Sequence, residues 1–562
     1  MQQAIEHNLQ TVKKGILSDK HTDKTIAAIN NFQNDPALLT PHLPTFIKSI
    51  NNTFIRALNN NNNTTLPTTQ AILFYNLAKI CSVKTVINHL STDISHLDPI
   101  TRLLSSTQPW EIHYFLLAWT LIIIQSPFNI TNDTLLYNTT NNLLKNQVLY
   151  PLITNIHASL YHKNYTLFLS NYDSIDLITL NKFLKTQLIE STSNVLSDIK
   201  TLNNITSSCL SCPSPSPSQI VVLKILPKLF LLHSWNQDWN SVSNIVQWYD
   251  SHLDSDFNEV RFALAHSYSK ILSHMINRFQ GSMQATQCIE SIINDLLHLT
   301  KNNPIDIIDF NTFHTYLLLI AECSNHIIQL TPHFISIITN DILPLAYSFQ
   351  QLYMNNIIRG SQVKDAANFI IWAWSKSNHA SLSNSTIYDL IKFLLITSLF
   401  DTDFLIRKSA NAALQELLGR HGHRIFNNIT TMQLIQLPIH NLHKSFHNNL
   451  TNLYNILSPH HNQLFKFIIN WFLTNNIMQN LDLNTVMLSI NALYQLHSRI
   501  PNFQLLPLID NFLSINNKKL TTTDPHTATR FVFLLIKLSH TDNPNPLINH
   551  LNNLASFIQI NK

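Results

Sequence analysis

The sequence predicts an all-α fold, a HEAT/armadillo-type helical-repeat solenoid, on three observations. Glycine is scarce, 5 residues in 562, where ordinary usage of ~7% would supply about 40. Hairpin turns and phosphate-cradling loops draw on glycine's freedom at φ > 0, so the shortage disfavours sheet-rich and nucleotide-binding folds. Apolar residues recur at three-and-four spacing in segment after segment, separated by Pro or Asn clusters and without strict alternation. Three segments, taken up below, also share one helical template. A chain of this length makes three or four domains at ~150 residues each unless it is a repeat array. Lys+Arg 36 against Asp+Glu 32 gives a net charge of +4, too balanced for gripping nucleic acid through many phosphates. With 45% hydrophobic residues, the chain fills a core and is not a disordered polyelectrolyte.

Taken in order, the N-terminus MQQAIEHNLQTVKKG has no apolar signal core. The longest apolar run, Tyr114 to Ile124, is shorter than the ~20 residues that span a bilayer, so no membrane insertion is expected. Five cysteines form no disulfide framework, which suits a reducing, cytoplasmic setting. Residues 1–204 read as N-terminal HEAT-like repeats, interrupted by a loop at Asn59 to Thr65. Pro109 opens a helix in which Glu111 is a favourable first-turn carboxylate. Trp110, Phe115 and Trp119 fall near one face of it, mostly as core. Trp110 and Glu111 are candidate partner contacts. Residues 205–219, centred on SSCLSCPSPSPS, read as an extended, exposed linker and the principal boundary, because Pro213, Pro215 and Pro217 cannot continue a helix. Its Ser-Pro pairs at Ser214 and Ser216 are possible phosphate acceptors, with a plain spacer the simpler reading. Residues 220–562 read as a second HEAT-like repeat segment.

The shared template lies in this second segment. Val260, Leu264, Ser267, Tyr268 and Ile271 form one set; Val363, Ala367, Ile370, Ile371 and Trp374 a second; Ile406, Ala410, Ala413, Leu414 and Leu417 a third. Each set falls at offsets of zero, four, seven, eight and eleven, one stripe of a helix. A basic residue follows each β-branched one: Arg261, Lys364 (then Asp365) and Arg407. Acids precede two of them, Asp256 in the first and Asp401 and Asp403 in the third. Asp403 and Asp256 are expected to cap their helices and to pair with Arg407 or Arg261 of an adjacent unit. The 43 residues from position 364 to position 407 match the ~40–47-residue period of helix-pair repeats. Such a repeat leaves its apolar face to be covered by neighbours, and the stack presents an extended surface to a partner. Gly419, after Leu417 and Leu418, reads as a helix terminator. The basic cluster Arg420, His421, His423 and Arg424 beside it suits an acidic partner or a helix carbonyl end; Arg420, His423 and Arg424 are candidate partner contacts.

No reaction chemistry is encoded. Gly419 and Gly422 in LLGRHGHR lack a preceding strand and a Lys-Ser/Thr pair. There is no H-E-x-x-H pair, and His460-His461 lacks carboxylate or thiol neighbours at metal spacing. The histidines read as surface or capping residues. Cys209 and Cys212 form a lone C-x-x-C placed in the linker, and no G-x-S-x-G elbow occurs. The expectation is a non-enzyme with no catalytic, cofactor-binding or metal-binding residue.

The stretch QPWEIHYFLLAWTLIIIQSPFNI, Gln108 to Ile130, resembles the W-E-x-x-Y-x-L-L-L-W…I-P-F-D segment of the tubulin-specific chaperone D (tubulin-folding cofactor D) family. Ala118 takes a leucine position, Ser126 precedes the Pro-Phe pair and Asn129 replaces the acid. Phe32 to Leu43, Val83 to Ile100, Val363 to Lys376 and Leu399 to Gly422 resemble further family segments in the same order. The last follows the pattern D-x-D-x-x-x-R-R-x-A-x-x-A-x-Q-E-x-x-G-R-x-G at Asp401, Asp403, Arg407, Ala410, Ala413, Gln415, Glu416, Gly419, Arg420 and Gly422, with Lys408 a conservative departure. The resemblance implies a HEAT-repeat chaperone of the cytoplasm and microtubule cytoskeleton. Such a chaperone binds β-tubulin and works with tubulin cofactors E and C and an Arf-like small GTPase in assembling or dissociating the αβ-tubulin dimer. Stimulation of GTP hydrolysis would belong to the assembly. The matched segments cover the N-terminal half of longer family members, implying a shortened or truncated chain, or divergence beyond Thr430. Other classes open to a helical stack are a karyopherin-like transport scaffold, whose cargo grooves are acidic where this chain carries +4, and an inert structural adaptor.

Overall fold

Helices that each leave an apolar stripe uncovered, joined by loops too short to carry them apart, must lie against their chain neighbours. A computed structural model shows this arrangement for residues 2–17, 22–59, 66–130, 132–190, 198–212, 217–279, 282–353, 356–377, 382–458, 460–500, 505–522, 525–539 and 545–560. The described chain is helical almost throughout and divides into two units, Met1–Ser241 and Val242–Lys562.

In the first unit a row of helices runs from Thr22–Asn30 through Thr68–Cys81, Trp110–Ile124, Tyr150–Lys163 and Leu177–Glu190 to Pro217–Trp235, each packed on the next. Trp110–Ile124 is buried over nearly its whole length, as an all-round apolar helix must be. Phe115 and Trp119 are core; Trp119 Nε1 donates to the Ser91 carbonyl at 2.8 Å, and Phe115 stacks on Phe54 at 3.9 Å. The helix packs between Thr68–Cys81 and Tyr150–Lys163, and no described helix is long and apolar enough to cross a membrane.

In the second unit the row is Asn258–Phe279, Phe310–Glu322, Ser361–Lys376 and Phe404–His421. All fifteen template positions are buried. Phe310–Glu322 supplies a repeat the template missed: Phe313, Leu317, Ile320 and Ala321 occupy offsets zero, four, seven and eight, all buried, and His314 stands where the others carry Arg or Lys. A three-residue hairpin, Gln351–Tyr353 paired antiparallel with Asn356–Ile358, interrupts the helices. Strands this short contain too few alternations to register as a period of two. Gly360, after the hairpin, has φ +63°, and a Cβ there would meet Phe349 at 2.7 Å, so both backbone and space require glycine.

Three expectations need correction. The segment read as extended from Ser207 is helical to Leu210, in the helix Ile199–Leu210. Cys209 is buried there, and burial, then Cys212, pushes its thiol up to about 12, which makes it unreactive. Apolar residues at Leu202, Ile205 and Cys209 carry the helix stripe into the serines, where the proline argument does not yet apply. Positions 213–216, with the two Ser-Pro serines, lie outside the described residues, as does most of the predicted loop from Asn59 to Thr65. Several histidines are core residues: His113, His157, His233 and His314 are all buried.

Gly419 does not terminate its helix, which runs to His421 with Gly422 as C-cap. A Cβ at Gly419 would meet nothing within 4 Å, so the glycine costs helix stability without relieving any clash. Gly419→Ala is therefore expected to stabilise the chain by about 0.5–1 kcal/mol in urea denaturation. A destabilised variant would show that the position is sterically constrained.

Candidate partner-binding ridge

The turns that open the helices of the second unit are tied to one another by buried polar side chains. The Arg261 guanidinium, buried in its helix, donates through Nη1 to the Ser255 carbonyl (2.5 Å) and Asn311 Oδ1 (2.8 Å). Its Nε donates to His314 Nδ1 (2.9 Å) and its Nη2 to Gln362 Oε1 (2.6 Å). One side chain thus spans three consecutive helices of the row. Burial pulls its pKa down, and Asp256, Asp309 and Glu259 oppose the shift. Lys364 Nζ pairs with Asp401 Oδ2 at 2.8 Å, both largely buried, joining one helix to the turn that opens the next.

Arg407 does not pair with Asp403, contrary to expectation. Asp403 is committed to its own helix, accepting from Leu405 N at 2.9 Å. Arg407 donates instead to the carbonyls of Asp401 (2.8 Å), Thr402 (3.1 Å), Ile439 (2.8 Å) and His440 (3.4 Å). The planar guanidinium fork reaches two turns at once, which a single carboxylate could not satisfy. Gln351 Nε2 donates to the Ile305 and Ile308 carbonyls, the latter at 2.9 Å. Gln350 Oε1 accepts from Leu481 N at 3.0 Å, and Arg359 meets Asp482 at 3.4 Å. The hairpin segment therefore links the turn at 305–308 to the turn at 480–482.

Large apolar residues stand exposed on these linked turns: Phe257, Ile307, Leu352, Phe404, Leu405, Leu481 and Leu483, between 40% and 69% accessible. Four of them follow an aspartate directly, at Asp256, Asp306, Asp403 and Asp482. Asp403 and Asp482 are helix N-caps, which places the next residue at the first helical position, facing outward. Exposed apolar side chains recurring on rigid, mutually bonded turns suit contact with another folded protein.

The residues singled out from sequence are not among those of the ridge. Trp110 and Glu111, in the first unit, are half-buried, and Trp110 meets Tyr75 edge-on at 4.9 Å. Arg420 is exposed and paired with Glu416 on its own helix (2.5 Å), Arg424 donates to the Leu382 carbonyl (3.0 Å), and His423 is exposed. Among the described residues, no three His, Cys, Asp or Glu side chains come together in a way that could hold a metal ion.

Comparison with known proteins places this architecture. Residues 29–165 match the family "Tubulin-specific chaperone D-like, ARM repeat", and residues 234–428 match "Tubulin-specific chaperone D-like, ARM repeats". Tubulin-specific chaperone D of Dictyostelium discoideum is 25% identical over 295 residues, 50% of this chain and 18% of that protein. Tubulin-folding cofactor D of Schizosaccharomyces pombe is 24% identical over 282 residues, 47% of this chain and 24% of that protein. The alignments thus span a quarter or less of these relatives. Among solved structures, a SYS-1/POP-1 crystal complex aligns over 96% of this chain and 100% of that one, at 13% identity and a TM-score of 0.22, too weak a likeness to argue from. With the family matches spanning more than half its length, on helices packed in chain order, the chain belongs to the tubulin-specific chaperone D-like family of ARM-repeat proteins.

Proposed function

We propose that this chain is a cofactor D-like chaperone that binds β-tubulin and takes part in assembling or dissociating the αβ-tubulin dimer. In this reading it acts in the cytoplasm and on the microtubule cytoskeleton, with tubulin cofactors E and C and an Arf-like small GTPase, and it works by binding alone. The observation that carries the reading is the row of exposed apolar residues on bonded turns in the second unit, together with the family membership. An interface of ~2,000 Å² or more competes with the contact between tubulin subunits, and differential binding then shifts the dimer equilibrium. Trp110, Glu111, Arg420 and His423 are proposed as additional contacts, with Arg424 contributing through the Leu382 turn it holds.

The test is binding of the purified chain to tubulin and to Arf-like GTPases, against a Phe404→Ser/Leu405→Ser/Leu483→Ser variant. These side chains are exposed, so the variant is expected to fold. The expected result is micromolar or tighter binding to tubulin, weakened at least about tenfold in the variant, which corresponds to about 1.4 kcal/mol. No binding to either partner at micromolar concentration would remove the reading; unchanged binding in the variant would remove the ridge from it.

A further inference from the structure

Away from the turns, the second unit holds a cavity of about 120 Å³ where the helices 239–250, 258–279, 282–302 and 310–322 meet. Tyr249, Tyr268, Tyr316 and Cys288 line it together with two carboxylates, Asp250 and Asp295, and no lysine, arginine or histidine is among its lining residues. The two carboxylates are on exposed residues, so ligands reach them from solvent. Tyr249 hydroxyl is engaged with Ser267 and Tyr268 hydroxyl with Cys288. Tyr316 is 9% exposed, lines the cavity, and makes no hydrogen bond to the described residues. Its hydroxyl is therefore free to bond a ligand beside two carboxylates that no lining cation neutralises. The Asp250 pKa is raised, by desolvation first and by the charge of Asp295 second, as expected where no cation opposes them.

We propose that this cavity is a socket for the cationic end of a lysine or arginine side chain presented by a protein partner. The carboxylates neutralise the charge, the Tyr316 oxygen accepts a hydrogen bond, and the tyrosine rings favour a cation near their faces. Leu253 and Leu264 offer apolar wall to the alkyl stem. A space of ~150 Å³ holds benzene in an engineered protein core, so a straight alkylammonium stem suits this one. The site is separate from the exposed ridge, and its failure would leave the tubulin reading standing.

The experiment titrates the full chain with n-butylammonium chloride, with its neutral analogue n-butanol, and with a short unstructured peptide carrying one central lysine or norleucine. Binding is followed by nuclear magnetic resonance of the ligands. The proposal expects butylammonium and the lysine peptide to bind with millimolar dissociation constants, and butanol and the norleucine peptide at least tenfold more weakly. Asp250→Asn/Asp295→Asn should remove at least tenfold of the cation's affinity, and Tyr316→Phe about threefold. Both carboxylates are exposed and repel each other, so the double variant should be at least as stable as the parent, and its urea midpoint checks that it folds. Equal binding of cation and neutral analogue, or no effect of the double variant, would overturn the site. Binding of butylammonium without the lysine peptide would overturn the protein-borne source.

Discussion

Arg261→Ala is expected to destabilise the second unit by about 3–5 kcal/mol, the largest single-residue loss outside the apolar core. Arg261 is 1% exposed and its guanidinium holds four acceptors, one from the turn ahead of its own helix and three from the next two helices of the row. Each buried acceptor left unpaired costs about 1–3 kcal/mol; the cavity adds to this, while water entering it and relief of the arginine's own desolvation subtract. The balance falls at the upper end of single substitutions. Arg261→Lys should recover less than half, because one ammonium cannot reach acceptors fanned around a planar fork. Urea denaturation read by a probe within residues 242–562 measures both. A loss below about 1 kcal/mol for the alanine variant would mean that the turns hold one another without the arginine.

The second large effect is acid lability. Burial first and the Arg261 charge second bring His314 down to about 3. Burial brings His157 down to about 4, with Asp176 opposing. His314 Nδ1 accepts from Arg261 Nε, and His157 Nε2 shares a hydrogen bond with Thr140 Oγ1 at 2.9 Å. An unfolded histidine titrates near ~6.5, so below that pH the unfolded chain takes up a proton that the folded chain refuses. Unfolded chain then binds more protons than folded chain, and stability rises with pH. The contribution of each histidine is fully present above about pH 6.5 and is lost progressively as pH falls toward 3–4. At pH 5 the loss is about 2 kcal/mol per histidine, one in each unit. Urea midpoints at pH 7 and pH 5 test this, and His314→Gln should flatten the dependence of the second unit alone. A stability that does not change between these pH values would contradict the neutral, buried assignment.

The helical stripes were legible because burial follows a period that residue types display directly: the fifteen template positions are all core. The fourth repeat escaped because Phe313-His314 replaces the β-branched–basic pair, although its stripe keeps the same offsets. The partners of Arg407 were not legible. A guanidinium donates to carbonyls as readily as to carboxylates, and carbonyls belong to every residue, so sequence cannot say which ones converge. The ridge escaped for the opposite reason. A phenylalanine or leucine is assigned to the core by default, and only the N-cap geometry of Asp403 and Asp482 reveals that the next residue faces outward. An aspartate followed at once by a large apolar residue, recurring at four places on these turns, was the available signal. Gly419 misled because a glycine near the end of a leucine-rich helix resembles a cap, whereas the helix runs on to His421.

Hydrogen–deuterium exchange of the chain with and without tubulin tests the central claim most directly. Slower exchange on adding tubulin is predicted in the turns at 255–258, 305–308, 401–405 and 480–483, which carry the exposed apolar residues, with little change in the already protected helix interiors. Protection confined to other parts of the chain, or exchange unchanged at tubulin concentrations that saturate binding, would contradict it.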